Sequence, residues 1–105
     1  MRNKTPARVF AALGDEMRLH LVARLNAGGA QSITCLTAGT KLTRQAITKH
    51  LRFMQRSGIV RCSHRGRETL WELEPRRIAQ ARQYLDTVSA QWDAALDRLR
   101  TLVED

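Results

Sequence analysis

The stretch that follows Pro75 constrains this chain most. Ile78, Ala81, Leu85, Val88, Trp92, Ala95, Leu99 and Leu102 recur in alternating steps of three and four, the a and d positions of consecutive heptads. Tyr84, Leu96 and Val103 widen the stripe. Pro75 suits the first turn of such a helix, where a missing N–H costs nothing. A helix this long carries more apolar face than the preceding domain of about 70 residues can cover. Each large side chain left wet forgoes roughly 1.5–3 kcal/mol. The stripe is therefore expected to pack against the first helix and against its copy in a second subunit. Ile78, Leu85, Val88, Trp92, Leu99 and Leu102 are the expected dimer interface. The alternative is a helix lying wholly on its own domain.

A second amphipathic helix runs through Leu42–Gly58. Thr43 is placed to cap it, and Ile47, Leu51 and Met54 form one apolar stripe at i, i+4 and i+7. Gly58 is the residue type that ends a helix in the left-handed conformation. The opposite face carries Arg44, Gln45, Thr48, Lys49, Arg52 and Arg56, side chains able to meet phosphates and base edges. Before it, Ser32 caps a short helix with Ile33 and Leu36 inward, and Gly39, Thr40 and Lys41 make a tight turn. Together these form a helix-turn-helix. After Gly58 the period changes to that of strands: Ile59–His64, a turn at Arg65-Gly66, then Glu68–Leu73. A hairpin directly after such a helix is a wing, and its tip, His64-Arg65-Gly66-Arg67, is positive and narrow enough for a minor groove.

Towards the amino end, Thr5 is expected to cap a first helix with Pro6 at its first position, followed by Val9, Phe10 and Leu13. Gly14 interrupts it. Asp15 caps a second helix with a stripe of Leu19, Val22 and Ala23, Leu25 beside it, ended by Asn26, Gly28 and Gly29. The fold class is then mainly α with a small β-hairpin. It is a winged helix-turn-helix with a long C-terminal dimerisation helix. One domain spans 1–105, with a winged core over 6–74 and the closing helix over 75–105.

Charge points to the partner. The net charge of +8 is confined to the first 74 residues, since five arginines balance five carboxylates from Pro75 onward. Between Glu16 and Glu68 no carboxylate occurs, while Arg18, Arg24, Lys41, Arg44, Lys49, Arg52, Arg56, Arg61, Arg65 and Arg67 do. A basic, acid-free segment ahead of a neutral one is the footprint of a nucleic-acid binder. No apolar run approaches the roughly 18 residues of a membrane span, and MRNKTPARVF has no apolar signal core. A cytoplasmic protein is expected. Its two cysteines, Cys35 and Cys62, have neither disulfide-framework nor zinc-module spacing. No nucleophile–base arrangement or phosphate loop is readable, so an enzyme is not expected, nor a cofactor.

The segments AALGDEMRLHLVARL, LTRQAITKHLRFMQRSGIV and HRGRETLWEL, over about residues 6–75, resemble the ArsR/SmtB family of bacterial winged-helix repressors. The resemblance implies a homodimer built from the terminal helices. Such a dimer represses by binding an imperfectly palindromic operator, commonly its own promoter, and in many members a metal or thiol ligand releases the DNA. Thr43, Thr48, Lys49 and His50 match the family's recognition pattern, whereas Arg44 and Gln45 replace the common Gln-Pro pair. Lys41 stands where Gly is usual. If the turn needs positive φ there, Lys costs on the order of 1 kcal/mol. The family's metal sites do not carry over. Ser32 and Thr34 occupy the two positions of the arsenic-sensing cysteines, and Cys35 falls one place later. The last helix has Asp86, Asp93 and Asp97 but no His. No metal site is assigned and no inducer is named.

These readings assign Thr43, Arg44, Gln45 and Thr48 to base edges, where helix-turn-helix proteins touch DNA. Lys49, His50, Arg52, Arg56, Arg65 and Arg67 are assigned to phosphates or the wing. His50 adjoins Leu51 and could equally be a packed histidine, and His20 is read as structural or exposed. Cys62 is read as a buried strand thiol. The leading function is a homodimeric repressor of its own or a neighbouring operon, with double-stranded DNA as partner and no membrane. Alternatives are a metal- or thiol-responsive sensor using Cys35 or Cys62, and a protein-interaction module binding an acidic partner.

Overall fold

A computed structural model describes residues 4–104. In chain order the elements are α1 (Lys4–Leu13), α2 (Glu16–Gly28), β1 (Gln31–Ser32), α3 (Ile33–Thr37), α4 (Arg44–Arg56), β2 (Val60–Arg65), β3 (Glu68–Leu73) and α5 (Pro75–Glu104). The strands form one antiparallel sheet in the order β1-β3-β2. The molecule measures 67 × 30 × 22 Å because α5 projects beyond the rest. No helix among the described residues is long and apolar enough to cross a membrane.

The core lies between the first four helices, the sheet and the start of α5. Val9 and Ala12 of α1, Leu21 and Leu25 of α2, Leu36 of α3, and Ile47, Leu51 and Met54 of α4 meet there with Ile59, Val60, Trp71 and Ala81. The α4 stripe read from the sequence is thus the buried face of that helix. Its amino end is capped as expected: Thr43 Oγ1 accepts from the Ala46 N–H at 3.1 Å. Thr43→Ala is expected to cost about 1 kcal/mol of folding stability, measurable by urea titration. At the carboxyl end Gly58 has φ 86°, the Ile59 N–H reaches the Met54 carbonyl and the Gly58 N–H the Gln55 carbonyl, each at 3.0 Å. This pair of bonds is a Schellman motif, and its apolar contact is between Ile59 and Met54, both fully buried. One Schellman turn therefore stops α4 and launches the hairpin.

Four local readings are corrected. First, α1 starts at Lys4, so Thr5 and Pro6 lie within its first turn rather than ahead of it. A proline is harmless there because first-turn N–H groups have no intrahelical acceptor. Second, α2 buries Leu21 and Leu25, with Met17 packed beside them, while Leu19 and Ala23 face outward. Its apolar residues lie nearly all round, so periodicity could not choose the face; docking against β3 and α4 does. Third, Gln31 and Ser32 pair with Trp71 and Leu70 and give the hairpin a third strand. Two residues carry no readable alternation. Fourth, β2 runs one residue later than expected, and the turn is Gly66-Arg67, with Arg65 paired to Glu68. The positive φ before α4 falls on Gly39, at 79°, and no non-glycine residue among the described residues has one. The strain considered for Lys41 does not arise.

Long α5 begins at Pro75 as read, and its first turns belong to the domain. Ala81 is buried, Ile78 packs on the core, and the Tyr84 ring lies 5.8 Å from that of Phe10 on α1. Beyond this the stripe is uncovered. Leu85, Trp92, Leu96, Leu99 and Leu102 are 54, 65, 56, 57 and 74% exposed, and Val88 is half-buried. Of the expected interface residues, Ile78 alone is committed to this chain's own core.

Candidate nucleic-acid interface

Three of the ten basic residues in the acid-free segment are engaged by backbone carbonyls or carboxylates of the chain. The Arg18 guanidinium donates to the carbonyls of Ala12 (2.6 Å) and Ala11 (3.4 Å), closing the end of α1, and stacks 4.2 Å over the Phe53 ring. Arg24 donates to the carbonyls of Cys35, Leu36 and Ala38 at 2.7–2.9 Å, closing the end of α3. Arg61 pairs with Glu72 at 2.9 Å and Glu74 at 3.0 Å across the sheet. These arginines satisfy orphan helix carbonyls or carboxylates. Lys41, Arg44, Lys49, Arg52, Arg56, Arg65 and Arg67 have no carboxylate partner among the described residues.

The outward ridge of α4 follows from its buried one. With Ile47, Leu51 and Met54 inside, the residues at Gln45, Lys49, Arg52 and Arg56 stand opposite them, at steps of four, three and four, and all four are exposed. Arg44 is exposed on the flank toward α3, where its Nη1 donates to Thr34 Oγ1 at 3.2 Å. Thr48, expected at a base edge, is half-buried on the same flank and donates its hydroxyl to the Arg44 carbonyl at 2.7 Å. Its proton is therefore engaged inside the helix. Thr43 lends its oxygen to the cap and keeps its own proton to donate. At the wing tip Arg65 and Arg67 are exposed, and Thr69 Oγ1 lies 3.2 Å from His64 Nδ1 across the hairpin.

His50 is half-buried beside α2. Its Nδ1 lies 3.9 Å from Asp15 Oδ2, on the flank of α4 that meets α2, and its side chain is 24% exposed. Asp15 is the α2 cap, accepting from the Arg18 N–H at 3.0 Å. That hydrogen bond holds its carboxyl below the usual range against a smaller opposing effect of burial, with the Arg18 charge adding to the lowering. Phe53 was not singled out from the sequence. It lies half in water between Arg18 and Arg56, whose guanidinium is 5.9 Å from the ring. The i, i+3 spacing to Arg56 was its only sequence signal. Of the cysteines, Cys35 is exposed, and Cys62 is half-buried rather than buried, its Sγ accepting from Gln55 Nε2 at 3.5 Å.

An exposed basic ridge on the second helix of a helix-turn-helix, beside a hairpin tipped with arginines, is the arrangement that enters a DNA groove. Comparison of sequence alone brings no match to a family model or to a curated protein. Solved structures do match. An ArsR-like transcriptional regulator from Rhodococcus sp. RHA1 is 32% identical, with 93% of this chain and 92% of that one covered and a TM-score of 0.80. A candidate transcriptional regulator for arsenical resistance is 30% identical over 77% of this chain and 82% of that one, with a TM-score of 0.68. The homodimeric winged helix-turn-helix DNA-binding domain of a Mycobacterium bovis protein shares the fold, at 20% identity, with 83% and 80% covered and a TM-score of 0.66. Fold, site geometry and the extent of the first two matches agree: this chain belongs to the ArsR family of transcriptional regulators.

Proposed function

We propose that the protein is a homodimeric cytoplasmic repressor that binds an imperfect palindrome in its own or a neighbouring promoter. The observation that carries this reading is the ridge Gln45, Lys49, Arg52 and Arg56, exposed and without a carboxylate partner among the described residues. Arg44 and Gln45, at the start of α4, read base edges. Arg can pair bidentately with guanine and Gln with adenine, each worth about 1–3 kcal/mol of discrimination. Lys49, Arg52, Arg56, Arg65 and Arg67 neutralise phosphates and add affinity without choosing a sequence. The uncovered stripe of α5 supports the two-fold partner, as does the homodimeric state of the Mycobacterium bovis domain of the same fold.

Footprinting on the DNA upstream of its own reading frame tests the proposal. Two protected half-sites about one helical turn apart are expected; an unprotected region would overturn autorepression. The logarithm of affinity should fall with log salt by about 0.9 per neutralised phosphate. Arg65→Ala should lower that slope by about 0.9 and weaken all sequences alike. Arg44→Ala should instead relax the choice of base at one position in each half-site.

A further inference from the structure

We infer that Thr34 is a positioning residue for sequence reading: from α3 it holds the Arg44 guanidinium in the pose that meets a base. The inference rests on the reading of Arg44 proposed above. Thr34 Oγ1 accepts from Arg44 Nη1 at 3.2 Å. This engages one nitrogen of the fork and leaves Nη2 and Nε to donate to paired acceptors on a base edge. Arg44 is also held at its root, since its carbonyl accepts from Thr48 Oγ1 at 2.7 Å and Thr43 caps the turn in which it lies. A solvated arginine gives up rotamer freedom when it pairs with a base, whereas one already held in a single pose gives up less.

The platform beneath Thr34 is built to stay put. Five residues, Ile33–Thr37, are too few for a helix to persist by its own hydrogen bonds. Arg24 of α2 closes its end through three carbonyls, Ser32 caps its start, and Leu36 is fully buried in the core. Arg24, one of the ten positive charges of the acid-free segment, thus fixes the helix from which Thr34 reaches Arg44. The same arrangement explains why an exposed threonine and an exposed arginine ten residues apart meet at all.

The test compares Thr34→Val, which keeps the shape and removes the acceptor, with Thr34→Ser, which keeps the hydroxyl. Binding is titrated on the footprinted operator, on its single-base variants and on random duplex. Sequence preference of the unaltered protein is read first; without one, the proposed function fails and this inference falls with it. Given a preference, Thr34→Val should reduce it about two- to tenfold at the base pair that Arg44→Ala identifies. Random-duplex affinity and thermal melting should stay unchanged. Thr34→Ser should restore the preference, and Thr34→Val should add nothing in an Arg44→Ala background. Uniform weakening on every sequence would make Thr34 a phosphate contact and overturn the inference. Full selectivity in Thr34→Val, or in Arg44→Ala, would overturn it equally.

Discussion

Replacing Trp92 and Leu99 together with Glu is expected to give a folded monomer that no longer holds a two-fold operator. Both side chains are more than half exposed on the projecting part of α5 and neither belongs to the core, so the winged domain loses no packing. Glu is a good helix former, and α5 itself should persist. In a two-fold interface each position occurs twice, so the double variant alters four sites. At roughly 1.5–3 kcal/mol per buried side chain, the lost transfer amounts to about 6–12 kcal/mol. That should weaken self-association by more than about three orders of magnitude. Sedimentation measures the association, circular dichroism checks the fold, and titration with the footprinted site reads the consequence for DNA. Retention of the dimer would show that α5 is covered by something other than its copy.

Leu51→Ala is expected to destabilise the fold strongly. Leu51 is fully buried at the centre of the stripe Ile47, Leu51 and Met54, which joins α4 to the rest of the core. A Leu→Ala change at such a site costs about 2–5 kcal/mol, a transfer loss plus a cavity. Domains of this kind are stable by only about 5–15 kcal/mol, so the variant should lose a large share of its stability and melt well below the unaltered protein. Its neighbour Arg52 faces the other way and gives the control. Arg52→Ala should change stability by no more than about 0.5 kcal/mol yet weaken binding to every DNA sequence. Urea titration of both variants, with DNA binding measured beside it, separates the two faces of one helix. A neutral Leu51→Ala would contradict the docking of α4 described above.

How much was legible depended on whether the signal was local. Thr43, the stripe on α4, Gly58 and the presence of a hairpin, though not its exact turn, are legible because capping, a 3.6-residue period and turn chemistry act within a few residues. The start of α5 at Pro75 was legible for the same reason. Readings failed where the deciding contact came from afar. The face of α2 was misread because Leu19, Leu21, Val22 and Ala23 offer several stripes, and only contact with β3 and α4 selects Leu21 and Leu25. The strand Gln31–Ser32 exists because Trp71 and Leu70 are there to pair with it.

The candidate interface divides along the same line. That α4 and the hairpin tip are strongly basic was decided by residue order alone, since ten positive charges lie between Glu16 and Glu68 without an intervening carboxylate. Which of those charges are available was decided by packing. Arg18 and Arg24 have chain carbonyls within 3 Å, Arg61 has two carboxylates, and His50 turns to Asp15. Thr34 came into reach of Arg44 through the docking of α3. A side chain's type and phase along its element are written in the chain, but its partners depend on which elements meet. That meeting is a property of the whole core, governed by the burial of Leu21, Leu36, Leu51 and Met54 against one another.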